Sequence, residues 1–369
     1  MPKMLKINKE ISDGTRDFLR RLLESKKVRS VAVLRREEGS RGIGYSLVSD
    51  PEKMAEAVPF YPIMPYNAGK YLSLLTSRGP FDAPVAVVLR PCEQRAFIEL
   101  VKLQQGSLDN IVIISPICPG VYPLKTFVRE NEDKLLKDYW SAAADGKLAE
   151  GIREACSCCE HFVPVGADII VSIAGEQNAG KETKLFANTE MGANLLKEMD
   201  GKIQESEMET KGTETIRKLR RKNEQEMLAD LQEKLSGLDG LVEMFSTCIG
   251  CHGCRSVCPI CYCSLCEFDS LRSEYEAEKF KIELHKRGGV RTPPGSIAFQ
   301  IGRMTHMNLS CVGCGMCSDV CPVDIPVASI FKKTGKAVQD LFEYTPGKDI
   351  EEKIPVTTYE EEELTSVED

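Results

Sequence analysis

Histidine is almost missing from this chain: 369 residues hold only four, His161, His252, His285 and His306. No Ser/His/Asp arrangement stands out, so nucleophilic hydrolysis has no candidate centre. A G-x-G-x-x-G run is absent, which excludes a Rossmann-type dinucleotide fingerprint. No apolar run approaches the ~20 residues of a membrane span, and the opening residues lack the apolar core of a secretory signal. No basic cluster of the right length appears and the net charge is −8, so nucleic acid is not an expected partner.

Cysteine is what the chain has in excess, with sixteen. Without a secretion signal these imply reduced thiols and metal rather than disulfides. Two runs stand out. Cys248-Ile-Gly-Cys251-His-Gly-Cys254-Arg-Ser-Val-Cys258-Pro259 and Cys311-Val-Gly-Cys314-Gly-Met-Cys317-Ser-Asp-Val-Cys321-Pro322 both read C-x2-C-x2-C-x3-C-P. That spacing holds a [4Fe–4S] cluster with three thiolates, while the fourth reaches the other cluster. The expected sets are Cys248, Cys251, Cys254 with Cys321, and Cys311, Cys314, Cys317 with Cys258. Zinc also takes C-x2-C pairs, but two full copies with the closing proline favour iron. Exposed clusters are oxygen-sensitive, so the expected setting is cytoplasmic and anaerobic.

Fifty-two residues separate Cys258 from Cys311, too many for the short repeat of a small ferredoxin. The spacing is similar to the helical dicluster ferredoxin domains of succinate dehydrogenase and heterodisulfide reductase subunits. The insert also carries Cys261, Cys263 and Cys266, which read either as thiols beside a cluster or as a further metal site. His252, inside the first run, is placed to tune its cluster by hydrogen bonding, while His161 and His306 read as structural.

Residues 12–115 alternate helical and strand patterns. Phe18, Leu19, Leu22 and Leu23 keep helical spacing after a cap at Ser12 or Asp13. Val31–Leu34 and Ile43–Val48 read as strands around a turn with Gly39, Gly42 and Gly44. Helices are expected at 68–76 and 93–104, and strands at 84–89 and 110–114, the first apolar enough for burial in a parallel or mixed sheet. The order implies an α/β layer domain.

Cysteines follow the strands: Pro91-Cys92, then Cys118, then Cys156-Ser-Cys158-Cys159 ahead of Ala167-Asp168-Ile169. On these residues, about 10–200 resemble the beta subunits of coenzyme F-420-reducing hydrogenase and formate dehydrogenase. The resemblance implies a third [4Fe–4S] cluster on Cys92, Cys118, Cys156 and Cys159, beside an FAD that exchanges hydride with coenzyme F-420. It also implies flavin contacts at Asp13-Gly14-Thr15, at Tyr66-Asn67 with Lys70, and along Gly175–Gly180. The run from Gly175 to Glu182 nearly spells a phosphate-binding P-loop, but Glu182 stands where Ser or Thr must ligate magnesium.

From Glu190 to Met244 the chain turns helical and charged, with Gly237 as the stop and Arg217–Glu226 as a solvated face. One more helix is expected from Ile325 to Phe342. The expected layout is an α/β domain over 1–189, a helical connector over 190–246, a mainly helical ferredoxin domain over 247–345 and an acidic tail over 346–369. Together these imply an iron–sulfur and flavin relay that serves a catalytic partner subunit of formate dehydrogenase, hydrogenase or heterodisulfide reductase type. The rivals are an electron-transfer adaptor without a working flavin, and a zinc scaffold. Anaerobically purified protein should carry about twelve irons per chain, four for each of three cysteine sets. Zinc instead, or about eight irons or fewer at full occupancy, would overturn the three-cluster count.

Overall fold

The computed structural model describes residues 2–37, 42–269, 277–290 and 295–358. Gly39 and the acidic run at 359–364 lie outside the described residues. Eight strands form one mixed sheet: β1 (Lys3–Ile7), β2 (Ser30–Arg36), β3 (Ile43–Val48), β4 (Val85–Val88), β5 (Ile111–Pro116), β6 (Ile169–Val171), β7 (Thr183–Ala187) and β8 (Ile203–Glu205). Their order is β3-β2-β4-β5-β6-β7-β1-β8. The β2, β4, β5 and β6 strands run parallel, and the flanking pairs are antiparallel. All four residues of β4 are buried, as a strand covered on both faces requires.

Alternate residues feed two cores. Ala86, Val88, Val112 and Ile114 join Phe18, Leu19 and Leu22 of α1 (Ile11–Glu24) on one face. On the other, Val85, Val87 and Ile113 meet Ala68 and Leu72 of α2 (Ala68–Thr76) and Phe97 of α3 (Pro91–Lys102). The long link from β5 to β6 holds α4 (Leu124–Arg129), α5 (Glu132–Ala144) and the one-turn α6 (Glu154–Ser157), and α7 (Glu190–Leu196) precedes β8.

The remainder is helical: α8 (Lys211–Lys234), α9 (Gly237–Met244), α10 (Gly253–Ser256), α11 (Ala277–Arg287), α12 (Ser296–Met307), α13 (Met316–Asp319) and α14 (Val327–Leu341). Leu231, Phe245, Phe299, Met304, Ile330 and Phe331 make a third core there, together with Cys248, Cys254 and Cys321.

Tertiary contacts correct several sequence expectations. The first helix starts at Ile11, ahead of Ser12 and Asp13, because Ile11 N–H donates to Ala179 O at 3.2 Å and Thr183 Oγ1 to Glu10 O at 2.9 Å. The α/β domain runs past 189, since β8 pairs with β1. The charged stretch 217–226 is not wholly solvated: Arg220 and Glu224 are buried. Gly237, at φ 68°, opens α9, and α8 has already ended at Lys234. Nor is 346–358 a tail. Tyr344 and Ile354 are buried, and Gly347 N–H donates to Glu99 of α3 at 2.9 Å.

The two parts are joined through the interior. Arg153, beside α6, forms an ion pair with Asp319 of α13 at 2.5 Å, with both side chains buried, and donates to Cys314 O at 3.0 Å. A guanidinium left in the interior without its carboxylate is costly. Asp319→Ala should therefore destabilise the protein by about 3–5 kcal/mol in urea unfolding, and Arg153→Met in the same chain should recover part of the loss. An Asp319→Ala protein as stable as the parent would show that the pair does not hold the parts together.

Candidate metal centres

The two C-P-terminated runs fold alike because both bend at the same places. Gly250 and Gly313 have φ of 65° and 67°, and His252 and Gly315 have φ of 55° and 81°. These left-handed turns curl each loop before its short helix, α10 or α13. His252 tolerates the conformation with its ring stacked on Phe299, centroids 4.1 Å apart.

Cys258, the last cysteine of the first run, shares a cavity of about 30 Å³ with Cys311, Cys314 and Cys317, walled by Arg303, Met307 and Phe331. Cys321, the last of the second run, is buried in one cluster with Cys248 and Cys254, and Ile325 N–H donates to its Sγ at 3.4 Å. Cys258 thus shares a cavity with the first three thiols of the second run, while Cys321 shares its core with thiols of both runs. Cys251 is exposed.

Cys92 is the second residue of α3, and Cys118 follows β5 with its N–H on Phe162 O at 2.8 Å. Cys156 lies on α6. These three thiols are electrostatic neighbours. Cys159 N–H donates to Cys156 O at 3.3 Å, and Cys159 borders a cleft of about 60 Å³ with Arg95, His161 and Cys311. The third set adjoins the second run directly: Cys92, Cys156 and Cys314 pack together around Met64, Val121 and Met316.

Burial pushes most of these thiols up, Cys118 to about 11 and Cys314 to about 12. Cys258 moves the other way, because the Cys261 thiol donates a hydrogen bond to it. Buried guanidinium groups offset the burial. Arg303 Nη1 donates to Cys254 Sγ at 3.1 Å and its Nη2 to Cys254 O at 3.2 Å. Arg220 Nη2 donates to Cys118 O at 3.1 Å. Arg153, Arg220 and Arg303 each keep a buried Nε–H without a hydrogen-bond partner in the structure. Unpaired donors of that kind are expensive unless an anionic acceptor is present, so residues and cavity both fit [4Fe–4S] clusters. The set of Cys258, Cys311, Cys314 and Cys317 lines a cavity; among the described residues no three Cys, His, Asp or Glu side chains converge on a single metal ion. Cys261, Cys263 and Cys266 likewise do not gather into a further site, and Cys263 is exposed.

Sequence reasoning missed the arginines. The signal was present for Arg303: it follows Phe299 by four residues and Gln300 by three, on the buried face of α12. Arg220 was hidden inside a charge run.

The residues named for flavin do not form one seat. Asp13, Gly14 and Thr15 belong to α1 on one face of the sheet, and Tyr66, Asn67 and Lys70 lie at α2 on the other. Gly14 N–H is taken by Glu10 O at 2.8 Å, and a Cβ there would lie 2.2 Å from Thr183 Oγ1. Gly175 packs on Gly212, with its N–H on Ala143 O at 2.7 Å, while Gly180 is open. The Gly175–Glu182 loop leads into β7, not into a helix, so it is no P-loop. Lys70 Nζ instead donates to Ser256 O at 2.9 Å and Cys258 O at 3.2 Å. Tyr66 and Asn67 stay near Cys92: Tyr66 packs on Tyr45, whose OH donates to Glu93 Oε1 at 2.6 Å, and Asn67 Nδ2 is buried without a partner in the structure.

The chain is similar to known proteins in both of its parts. Residues 243–325 match the 4Fe–4S dicluster domain, and residues 125–215 match the family described as the C terminus of the coenzyme F420 hydrogenase/dehydrogenase beta subunit. The F420-dependent formate dehydrogenase subunit beta of Methanocaldococcus jannaschii is 31% identical over 362 residues, covering 89% of both chains. The F420-dependent formate dehydrogenase 1 subunit beta of Methanococcus maripaludis is 35% identical over 309 residues, 73% of this chain and 74% of its own. A chain of the F420-reducing [NiFe] hydrogenase complex from Methanosarcina barkeri superposes with a TM-score of 0.45 at 15% identity, over 64% of this chain and 93% of its own. The chain is a member of the coenzyme F420 hydrogenase/dehydrogenase beta subunit family, an oxidoreductase subunit.

Proposed function

We propose that the chain relays electrons between coenzyme F-420 and a catalytic partner subunit of formate dehydrogenase type. The observation that carries this is the packing of Cys92 and Cys156 against Cys314, which makes the third cysteine set continuous with the twin-run sets. Bound clusters supply one-electron steps, and FAD would supply the conversion of a hydride's electron pair into single electrons. The chain's own part is to fix distances and charge. Arg303, between the twin sites, holds a positive charge on Cys254 and walls the Cys258 cavity. Cys251 is exposed, and Ile249, Tyr262 and Leu265 near it in sequence also reach the surface, which suits docking of the partner. Members of the family named for formate dehydrogenase favour that partner over hydrogenase or heterodisulfide reductase.

A second reading, an iron–sulfur adaptor without flavin, is favoured by the scatter of the expected flavin contacts over both faces of the sheet.

Two outcomes test these readings. Arg303→Gln should lower the reduction potential of the Cys248–Cys254 site by about 60–130 mV, the equivalent of one hydrogen bond to a charged group, and Arg303→Lys should restore part of it. An unmoved potential in a redox titration followed by EPR would remove Arg303 from the relay. Protein reconstituted with FAD and given reduced coenzyme F-420 should reduce its clusters, and Cys92→Ser should slow that reduction. Reduction by NADH but not by coenzyme F-420 would overturn the donor and leave the relay. No flavin binding under any reconstitution would select the adaptor.

A further inference from the structure

The thiol of Cys261 has no place in the relay described above, yet it is not a stray core residue. It follows Cys258 across Pro259 and Ile260, and both of those line the cavity that Cys258 shares with Cys311, Cys314 and Cys317. Its thiol hydrogen bonds to the Cys258 thiol and lies in hydrogen-bonding contact with Arg303. Its Sγ is 3.3 Å from Met307 Sδ. Cys258, Arg303 and Met307 all wall that same cavity, so Cys261 stands directly behind one corner of it.

The turn that carries both thiols is held from outside. Lys70 of α2 donates to Ser256 O at 2.9 Å, Cys258 O at 3.2 Å and Cys261 O at 3.5 Å, and Ile260 is buried. One lysine thus fixes the two carbonyls while the two thiols remain in contact.

We propose that Cys261 is a reserve ligand for the cluster site of Cys258, Cys311, Cys314 and Cys317. The proposal rests on the crossed assignment of Cys258 to that site. In the exchange, the iron–sulfur bond to Cys258 breaks and one to Cys261 forms. The proton of the Cys261 thiol passes to the released Cys258 thiolate, or to water where Cys258 is absent, and no electron is transferred. Such a site keeps its fourth ligand when Cys258 is lost to oxidation or substitution.

The test uses the full chain, reconstituted anaerobically with iron and sulfide, as Cys258→Ala, Cys261→Ala and the double variant. Cys261→Ala should match the parent in iron content and EPR spectrum. Cys258→Ala should keep the parent's iron content and show an altered spectrum for one cluster. The double variant should lose about four irons, one cubane. Should Cys258→Ala not fold, Cys258→Ser, closer in size and polarity, is read the same way. A single Cys258 variant that loses as much iron as the double overturns the reserve role while leaving the crossed assignment intact. A double variant that keeps its iron shows that some other group replaces Cys258, and also overturns the role. A Cys258 variant with the parent's unaltered spectrum means that Cys258 is not a ligand, which ends the crossed assignment and this proposal with it.

Discussion

A buried thiol without a counter-charge resists ionisation, and a metal held by thiolates must displace that proton. This chain buries many of them: burial pushes up Cys92, Cys118, Cys156, Cys254, Cys311, Cys314 and Cys317 alike. The interior answers with guanidinium groups. Arg303 stands on Cys254, Arg220 on the Cys118 carbonyl and Arg153 on the Cys314 carbonyl. Neither side of this arrangement is stable alone. Unpaired arginines cost several kcal/mol each, and iron-bound thiolates need positive charge close by. Thiols and arginines are therefore one feature, and the helices are arranged to bring them together.

The third helix of the α/β domain makes the two parts one structure. Its first turn carries Cys92, with Glu93 accepting from Tyr45 OH at 2.6 Å and from Ala68 N–H at 3.2 Å on the sheet side. One turn on, Arg95 donates to Pro346 O at 2.9 Å. A further turn on, Glu99 takes Tyr344 OH at 2.7 Å. Three charged side chains on a buried helix would be a serious cost if the helix faced its own domain only. Here Glu93 is bonded within the α/β domain, while Arg95 and Glu99 both bond the segment at 344–347 and Arg95 also donates to Val312 O at 3.4 Å, so the helix ties Cys92 to the second cysteine run.

The fold was legible wherever local pattern decided it. The strand at Ile43–Val48 and the helix at Ala68–Thr76 follow from alternation and helical spacing, and the structure places both at those residues. The grouping of Cys258 with Cys311, Cys314 and Cys317 was legible for a different reason: the spacing of a cluster-binding run is fixed by the cluster, so the sequence records its geometry directly. What could not be read were contacts between distant segments. The start of the first helix is set by Ala179 and Thr183, which lie far along the chain between β6 and β7 and at the start of β7. Lys70 was expected at a flavin and instead grips the Cys258–Cys261 turn, because nothing in its local sequence reveals what faces its helix. Arg220 and Glu224 looked solvated because their stretch is charged on every side; Lys332 of the last helix, 2.8 Å from Glu224, buries that face.

The two junctions between the cysteine sets differ in kind, and that difference bears on how a relay could work. Between Cys92 and Cys314 the filling is apolar: Met64, Val121 and Met316, all buried. Between the twin sites stands a cation, Arg303, sandwiched by Phe299 and Phe331 with its charge 5.6 and 4.7 Å from the two rings. That filling keeps water away, while Arg153 at its edge, 3.7 Å from Met64 Sδ and 3.0 Å from Cys314 O, shares its charge with Asp319. A cationic junction favours the reduced state on both of its sides. On the proposed relay, the twin-run end, where Cys251 meets solvent, would thus hold the more easily reduced sites. A fixed charge in the interior, rather than any moving part, would set that preference.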